Sequence, residues 1–271
     1  MNYQPKTISI IGGRGKMGSL FAEAFRLFDY TVLVSDKENT NNLELAKHGD
    51  IVIVSVPLEK TEQVIEEIGP YVRKEALLTD FTSVKMKPVA AMLKYSQAEV
   101  IGGHPLFGPS IDLLKGQNMI LCPERGEKYL SWYTNALDSL GVKVTLMNAE
   151  EHDKTMAVVQ CLTHFSNIAF AYAISKMAPN IQPEATTPAF ILRLYATKRM
   201  LTPDPSWYSR ILHENPFGEE AVRAYVDTVA EVSAMAQKNT KTELEELLLS
   251  LQKDFESHPA LQGKKVKISD E

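Results

Sequence analysis

Cysteine is scarce in this chain, with only Cys122 and Cys161 in 271 residues. Two thiols exclude a disulfide framework, and neither stands in a CxxC or other metal-ligand spacing, so no metal site is expected. A reducing compartment fits. Long hydrophobic runs are missing as well. None approaches the roughly 18 residues that span a bilayer. The N-terminal Met1 to Lys6 runs almost directly into a strand without the apolar region of a signal peptide. The reading is a cytoplasmic protein with no membrane partner. An excess of basic charge is absent too: the net charge is −5, which argues against a nucleic-acid partner. Lysines crowd only at Lys264, Lys265 and Lys267, and residues 263–271 read as a flexible tail. There are no internal repeats and no low-complexity stretches. What remains, 44% hydrophobic and 23% charged residues, is the composition of a globular protein with room for two domains.

The β-branched run Thr7-Ile8-Ser9-Ile10-Ile11 is followed at once by Gly12-Gly13-Arg14-Gly15-Lys16-Met17-Gly18. From Met17 to Phe28 apolar residues recur at helical spacing, and Thr31 to Ser35 forms a second strand ending at Asp36. A lone Gly-x-Gly-x-x-Gly is a weak signal, but here the strand, the helix and the acid all stand where a dinucleotide requires them. Gly13 is expected to make the tight turn, Gly15 to admit a pyrophosphate, and Gly18 to let the helix pack on the strand. Arg14, Lys16 and Met17 lie on the same turn, whose helix N-terminus offers free N–H groups to phosphate. Asp36, about twenty residues past the last glycine, would accept hydrogen bonds from both ribose hydroxyls and repel a 2′-phosphate. NAD is therefore favoured over NADP, although Lys37 and Arg14 pull the other way.

Strand and helix then alternate. Ile51 to Val56 is apolar throughout, as a parallel strand covered on both faces should be. Helices are expected at 59–71, 88–95 and about 128–140, with strands at 76–80, 99–101, 118–122 and 143–146. The pattern specifies a doubly wound, mainly parallel sheet of the Rossmann type. Ligands bind past the carboxyl ends of such strands. Asp36, Ser55 and Pro57, Ser83, and His104 all sit there. The stretch Gly102-Gly103-His104-Pro105-Leu106-Phe107-Gly108-Pro109 cannot be regular helix and reads as a rigid loop that aims His104 at a ligand.

After Leu146 no strand pattern recurs. Asn148-Ala149-Glu150-Glu151 reads as a helix start, and the remainder as helices at about 148–177, 185–201, 205–213, 216–238 and 240–257. The expected division is a dinucleotide-binding domain at 1–148 and an all-helical domain at 149–262. Apolar faces on every helix of so small a domain point to a homodimer.

These residues together resemble the prephenate dehydrogenase family. The resemblance is carried by the glycine turn, by Asp80-Phe81-Thr82-Ser83-Val84-Lys85, and by Gly103-His104-Pro105-Leu106-Phe107-Gly108-Pro109. In the helical half it is carried by Glu151-His152-Asp153, Gln160, His164-Phe165, Arg199 and Asp204-Pro205. It covers residues 7–258 and is strongest to the dehydrogenase half of bifunctional chorismate mutase–prephenate dehydrogenases. Neither a mutase segment nor a regulatory domain is recognisable, so monofunctional activity is expected. Leu106 stands where methionine is common.

The resemblance implies NAD-dependent oxidative decarboxylation of prephenate to 4-hydroxyphenylpyruvate, in tyrosine biosynthesis. It implies His104 as proton acceptor, with Ser83 hydrogen-bonding either the substrate hydroxyl or the imidazole. Arg199 would hold the ring carboxylate, with Arg193 a rival, and His164 and Gln160 would meet the pyruvyl side chain. Lys85 would reach substrate or cofactor. His152 reads as structural, and His48, His213 and His258 as surface residues. The alternatives are an arogenate or dual-specificity cyclohexadienyl dehydrogenase, a β-hydroxyacid dehydrogenase on the same plan, and a sensor without turnover.

Overall fold

Four short runs of branched residues start the architecture: β1 (Thr7–Ile11), β2 (Thr31–Val34), β3 (Ile51–Val54) and β4 (Leu77–Asp80). With β5 (Glu99–Pro105), β6 (Asn118–Arg125) and β7 (Lys143–Leu146) they form one seven-stranded sheet in the order β2-β1-β3-β4-β5-β6-β7. The computed structural model of the chain describes residues 5–35, 41–111, 113–177, 180–201, 205–237 and 241–262. Every neighbouring pair in the sheet is parallel except β5 and β6.

Parallel strands need crossovers, and helices cover both faces of the sheet. Along β3 the side chains alternate: Ile51 and Ile53 join one core with Phe21, Phe25 and Tyr133, while Val52 and Val54 join another with Ile65, Ile68 and Met92. The first core lies under α1 (Lys16–Arg26) and α5 (Lys128–Ser139), the second under α3 (Leu58–Ile68) and α4 (Met86–Tyr95). Burial on both sides is why β3 has no polar alternation. A further helix, α2 (Asn42–His48), was not legible beforehand, because its only buried residue is Ala46 and no large apolar stripe marks it.

Gly102 to Pro105 are not the loop that the sequence suggests. They continue β5 and pair antiparallel with β6, with Gly102 opposite Cys122 and His104 opposite Ile120. Neither Gly102 nor Gly103 takes a left-handed conformation. What they supply is closeness: a Cβ on Gly103 would stand 2.6 Å from the Asp80 carbonyl oxygen, and one on Gly102 3.0 Å from Cδ of Lys85.

The chain divides into two compact units, Met1–Ala157 with Glu214–Pro216, and Val158–His213 with Phe217–Glu271. Compactness alone groups α6 (Ala149–Met156) with the first unit, a shift of nine residues (148 to 157) from the Asn148 at which the helical pattern begins. Side-chain bonds explain the shift. Glu124 accepts from the Ala149 N–H at 3.0 Å, and Asp153 accepts from the N–H groups of Lys85 and Met86. A capping box of Asn148 and Glu151 starts α6 as its sequence predicts. The tail at 263–271 lies outside the described residues.

In the second unit a π-helical segment (Ala157–Leu162) leads into α7 (Thr163–Met177), followed by α8 (Pro188–Leu201), α9 (Pro205–Glu214), α10 (Gly218–Gln237) and α11 (Lys241–Glu256). The continuous helix Ala149–Met177 is 29 residues long with a window of mean hydropathy 1.3, enough by length and composition to cross a membrane. It is not an unbroken apolar run. The same helix carries Gln160, His164 and Asn167, polar groups that a bilayer interior would leave without partners.

Candidate active site

The glycine turn is built for close approach. Gly12 holds φ at 77°, a left-handed conformation, and a Cβ there would lie 2.5 Å from the Ser55 carbonyl oxygen. The tight turn is therefore made by Gly12 rather than by Gly13, which is closed in by Val34 and the Ile10 carbonyl. Gly18 packs as expected, its Cβ position 2.6 Å from the Gly12 carbonyl oxygen. At Gly15 a Cβ would meet only the Gly12 carbonyl oxygen, at 3.1 Å, and the position is exposed. Gly15 is also the N-cap of α1, with no side-chain cap and no acid in the first turn.

The amides of Lys16, Met17 and Gly18 thus open that helix without intrahelical acceptors. Such a turn fits a pyrophosphate. Ser55, at the end of β3, donates its N–H to Ile11 at 2.8 Å, and Pro57 is the N-cap of α3. Asp36 lies outside the described residues.

Lys85 takes a different place from the one expected. Its side chain is fully buried, and Nζ donates to the Asp80 carboxylate, to Thr82 Oγ1 at 3.1 Å and to the Gly103 carbonyl at 2.7 Å. All three ammonium donors have partners inside the protein, so none is left for substrate or cofactor. Asp80 is fully engaged as well: it accepts from the Thr82 N–H and hydroxyl and from the Gly103 N–H. This ion pair ties the end of β4 to β5 immediately before His104.

His104 is 2% exposed. Its Nδ1 lies 2.8 Å from Nε2 of His152, whose Nδ1 lies 2.7 Å from Asp153 Oδ1. No other hydrogen bond of the His104 ring occurs among the described residues. Burial holds its pKa well below 6.5, and the Lys85 ammonium acts in the same direction. Burial also lowers His152, against the opposing pull of Asp153. His104 is therefore a neutral base near neutral pH. Ser83 is half-buried in the turn between β4 and α4, and no hydrogen bond joins it to His104 among the described residues. It does not cap α4, since the Asp153 carboxylate does so from α6.

In the second unit, Gln160 lies in the π-helical segment and His164 at the start of α7. Such segments often accompany function. Gln160 Oε1 and His164 Nε2 are both buried without a partner. The His164 ring packs edge-on against Tyr208, 4.7 Å between centroids, and burial lowers its pKa. Tyr208 is raised by burial and opposed by the charge of Arg199, which brings Arg199 into the same neighbourhood. Arg193 instead stacks on Phe170, its guanidinium carbon 4.5 Å from the ring centre.

Residues that the sequence reading left out thus join the candidates of each unit: His152 and Asp153 stand beside His104 in the first, and Tyr208 stands beside His164 in the second. Nothing in their spacing could reveal this, because His104 and His152 are brought together across 48 positions.

Comparison with known proteins agrees with these features. Residues 29–146 match the prephenate dehydrogenase nucleotide-binding domain, and residues 148–250 the prephenate dehydrogenase dimerization domain. A protein of Methanocaldococcus jannaschii named "Probable arogenate/prephenate dehydrogenase" is 32% identical over 93% of this chain and 61% of its own length. The T-protein of Enterobacter agglomerans is 31% identical over 87% of this chain and 64% of its own. The chain thus spans about three fifths of these relatives. Among solved structures, prephenate dehydrogenase from A. aeolicus, in complex with hydroxyphenyl propionate and NAD+, has the same fold. The TM-score is 0.76 at 20% identity, covering 94% of this chain and 99% of that one.

Proposed function

The chain belongs to the prephenate dehydrogenase family, and we propose that it catalyses NAD-dependent oxidative decarboxylation of prephenate to 4-hydroxyphenylpyruvate. The observation that carries this reading is His104, a buried, neutral imidazole in the last residues of β5, with one ring nitrogen held by protein and the other not. Its free nitrogen takes the proton of the ring hydroxyl, a step that contributes about 10²–10⁴-fold in enzymes generally. Gly15 and the free amides at the N-terminus of α1 would hold the pyrophosphate of NAD, which when bound would supply the acceptor for the hydride of the hydroxyl-bearing carbon. The carboxylate departs as CO2, its bonding pair completes the aromatic ring, and the His104 imidazolium returns the proton to the phenolate oxygen.

Arg199 is assigned the ring carboxylate, for which a planar guanidinium gives a bidentate contact. Gln160 Oε1 and His164 Nε2, buried and unpartnered, are assigned the pyruvyl end. Ser83 is assigned the substrate hydroxyl.

A second reading, arogenate in place of prephenate or beside it, has one observation in its favour. Gln160 Oε1 is an acceptor, which an amino group would satisfy and a keto group would not. A homodimer is supported by α7, which is apolar yet has no buried residue, and by exposed Tyr172, Leu192, Tyr195 and Val229.

The test crosses prephenate and arogenate with NAD and NADP, following nicotinamide reduction by the wild type and by His104→Asn. Turnover of prephenate with NAD, lost in the variant, is expected. No turnover of prephenate with either nucleotide rejects the reading. Preference for NADP would reject the role given to Asp36.

A further inference from the structure

We propose that His152 and Asp153 are positioning residues that set the tautomer of His104, placing its proton on Nδ1 and leaving Nε2 as the base. The inference rests on the reading of His104 as proton acceptor and adds to it which nitrogen acts and why.

The argument starts at Asp153, whose side chain is fully buried. Its Oδ1 accepts from the Lys85 N–H at 2.8 Å and its Oδ2 from the Met86 N–H at 2.9 Å, at the N-terminus of α4. Both carboxylate oxygens thus act as acceptors for backbone N–H groups. A carboxylate only accepts, so the Nδ1 of His152, 2.7 Å from Oδ1, carries a proton. In the neutral ring the Nε2 of His152 is then an acceptor. It faces Nδ1 of His104 at 2.8 Å, and that nitrogen must donate. The lone pair of His104 is left on Nε2.

Were His152 protonated, both of its nitrogens would donate, and His104 would be forced into the opposite tautomer. Burial of His152 opposes that state. The other charged groups acting on the pair, Lys85 and Asp80, are already bonded to each other. The arrangement is held from the far side too, since Asn215 Nδ2 donates to the Asp153 carbonyl at 2.9 Å.

The experiment is long-range ¹H–¹⁵N spectroscopy of ¹⁵N-histidine-labelled full-length protein at pH 7.5, with His104 assigned from the spectrum of His104→Asn. The wild type should show His104 protonated on Nδ1 and bare on Nε2. His152→Leu, which removes the acceptor, should shift His104 towards the other tautomer and lower kcat about 100-fold with little change in KM. His152→Gln, which can present Oε1 as an acceptor, should recover at least tenfold of that loss. A wild-type His104 protonated on Nε2 overturns the proposal, as does a His152→Leu protein that keeps both the Nδ1 proton and full kcat. If the leucine variant does not fold, the wild-type spectrum and the glutamine variant decide. The spectrum needs no substrate, so failure to turn over prephenate would reject the proposed function and leave this test intact.

Discussion

The ammonium of Lys85 donates to the carbonyl of Gly103, at 2.7 Å, directly before His104 in the strand. The same ammonium neutralises Asp80 where neither side chain reaches solvent. Removing one partner of such a pair leaves an uncompensated buried charge. Lys85→Met should therefore lose about 3–5 kcal/mol of stability. Asp80→Asn combined with it should cost less than the two changes added. Urea unfolding checks both. A Lys85→Met protein of near wild-type stability and raised substrate KM would return Lys85 to the binding site.

Acid should destabilise the fold in a defined window. His104, His152 and His164 all have folded pKa values below the ordinary 6.5, chiefly through burial. Below pH 6.5 the unfolded chain therefore binds protons that the folded chain refuses. The stability these groups contribute is present above 6.5 and lost as pH falls towards their folded values, at up to about 1.4 kcal/mol per pH unit for each histidine. Denaturation midpoints between pH 8 and pH 5 should show a plateau and then a decline. The acid limb of kcat/KM should likewise lie below 6.5; a limb above 7 would contradict a neutral His104.

Two glycines of the turn should fail differently. A Cβ at Gly18 meets the Gly12 carbonyl oxygen at 2.6 Å, so Gly18→Ala must distort the turn and should cost about 1–3 kcal/mol. At Gly15 the added Cβ meets one atom at 3.1 Å, and Gly15→Ala should fold normally. It stands where the phosphates would approach, so nucleotide affinity should fall about tenfold or more. Thermal melting and nucleotide titration separate the two. Unchanged NAD affinity in Gly15→Ala would place the cofactor elsewhere.

Neither thiol should react in the native protein. Burial pushes Cys122 up to about 12, and Cys161 is buried with Sγ 3.5 Å from the Ile211 carbonyl oxygen. An aromatic disulfide reagent should label none in buffer and two in denaturant. Rapid native labelling of either would show that its surroundings open.

Local chemistry made the frame legible. Branched runs became strands, the glycine turn opened α1, and the change from strand to helix patterning marked the start of the helical half. These outcomes depend on residues close in the chain, whose backbone preferences and apolar spacing can be read directly. His104 and Ser83 could be singled out from their place after strand patterns, and Arg199, His164 and Gln160 only through the resemblance to the family's motifs.

What each of them touches was a tertiary matter. Gly102 to Pro105 became strand because β6 pairs with them, and a pairing partner is not written in the segment itself. Lys85 turned inward because Asp80, Thr82 and Gly103 converge around it. His152 meets His104 because α6 packs against α4 and β6. A sequence shows which groups can carry protons and charge. Only folding decides which of them are shut away from water together, and that decides which act.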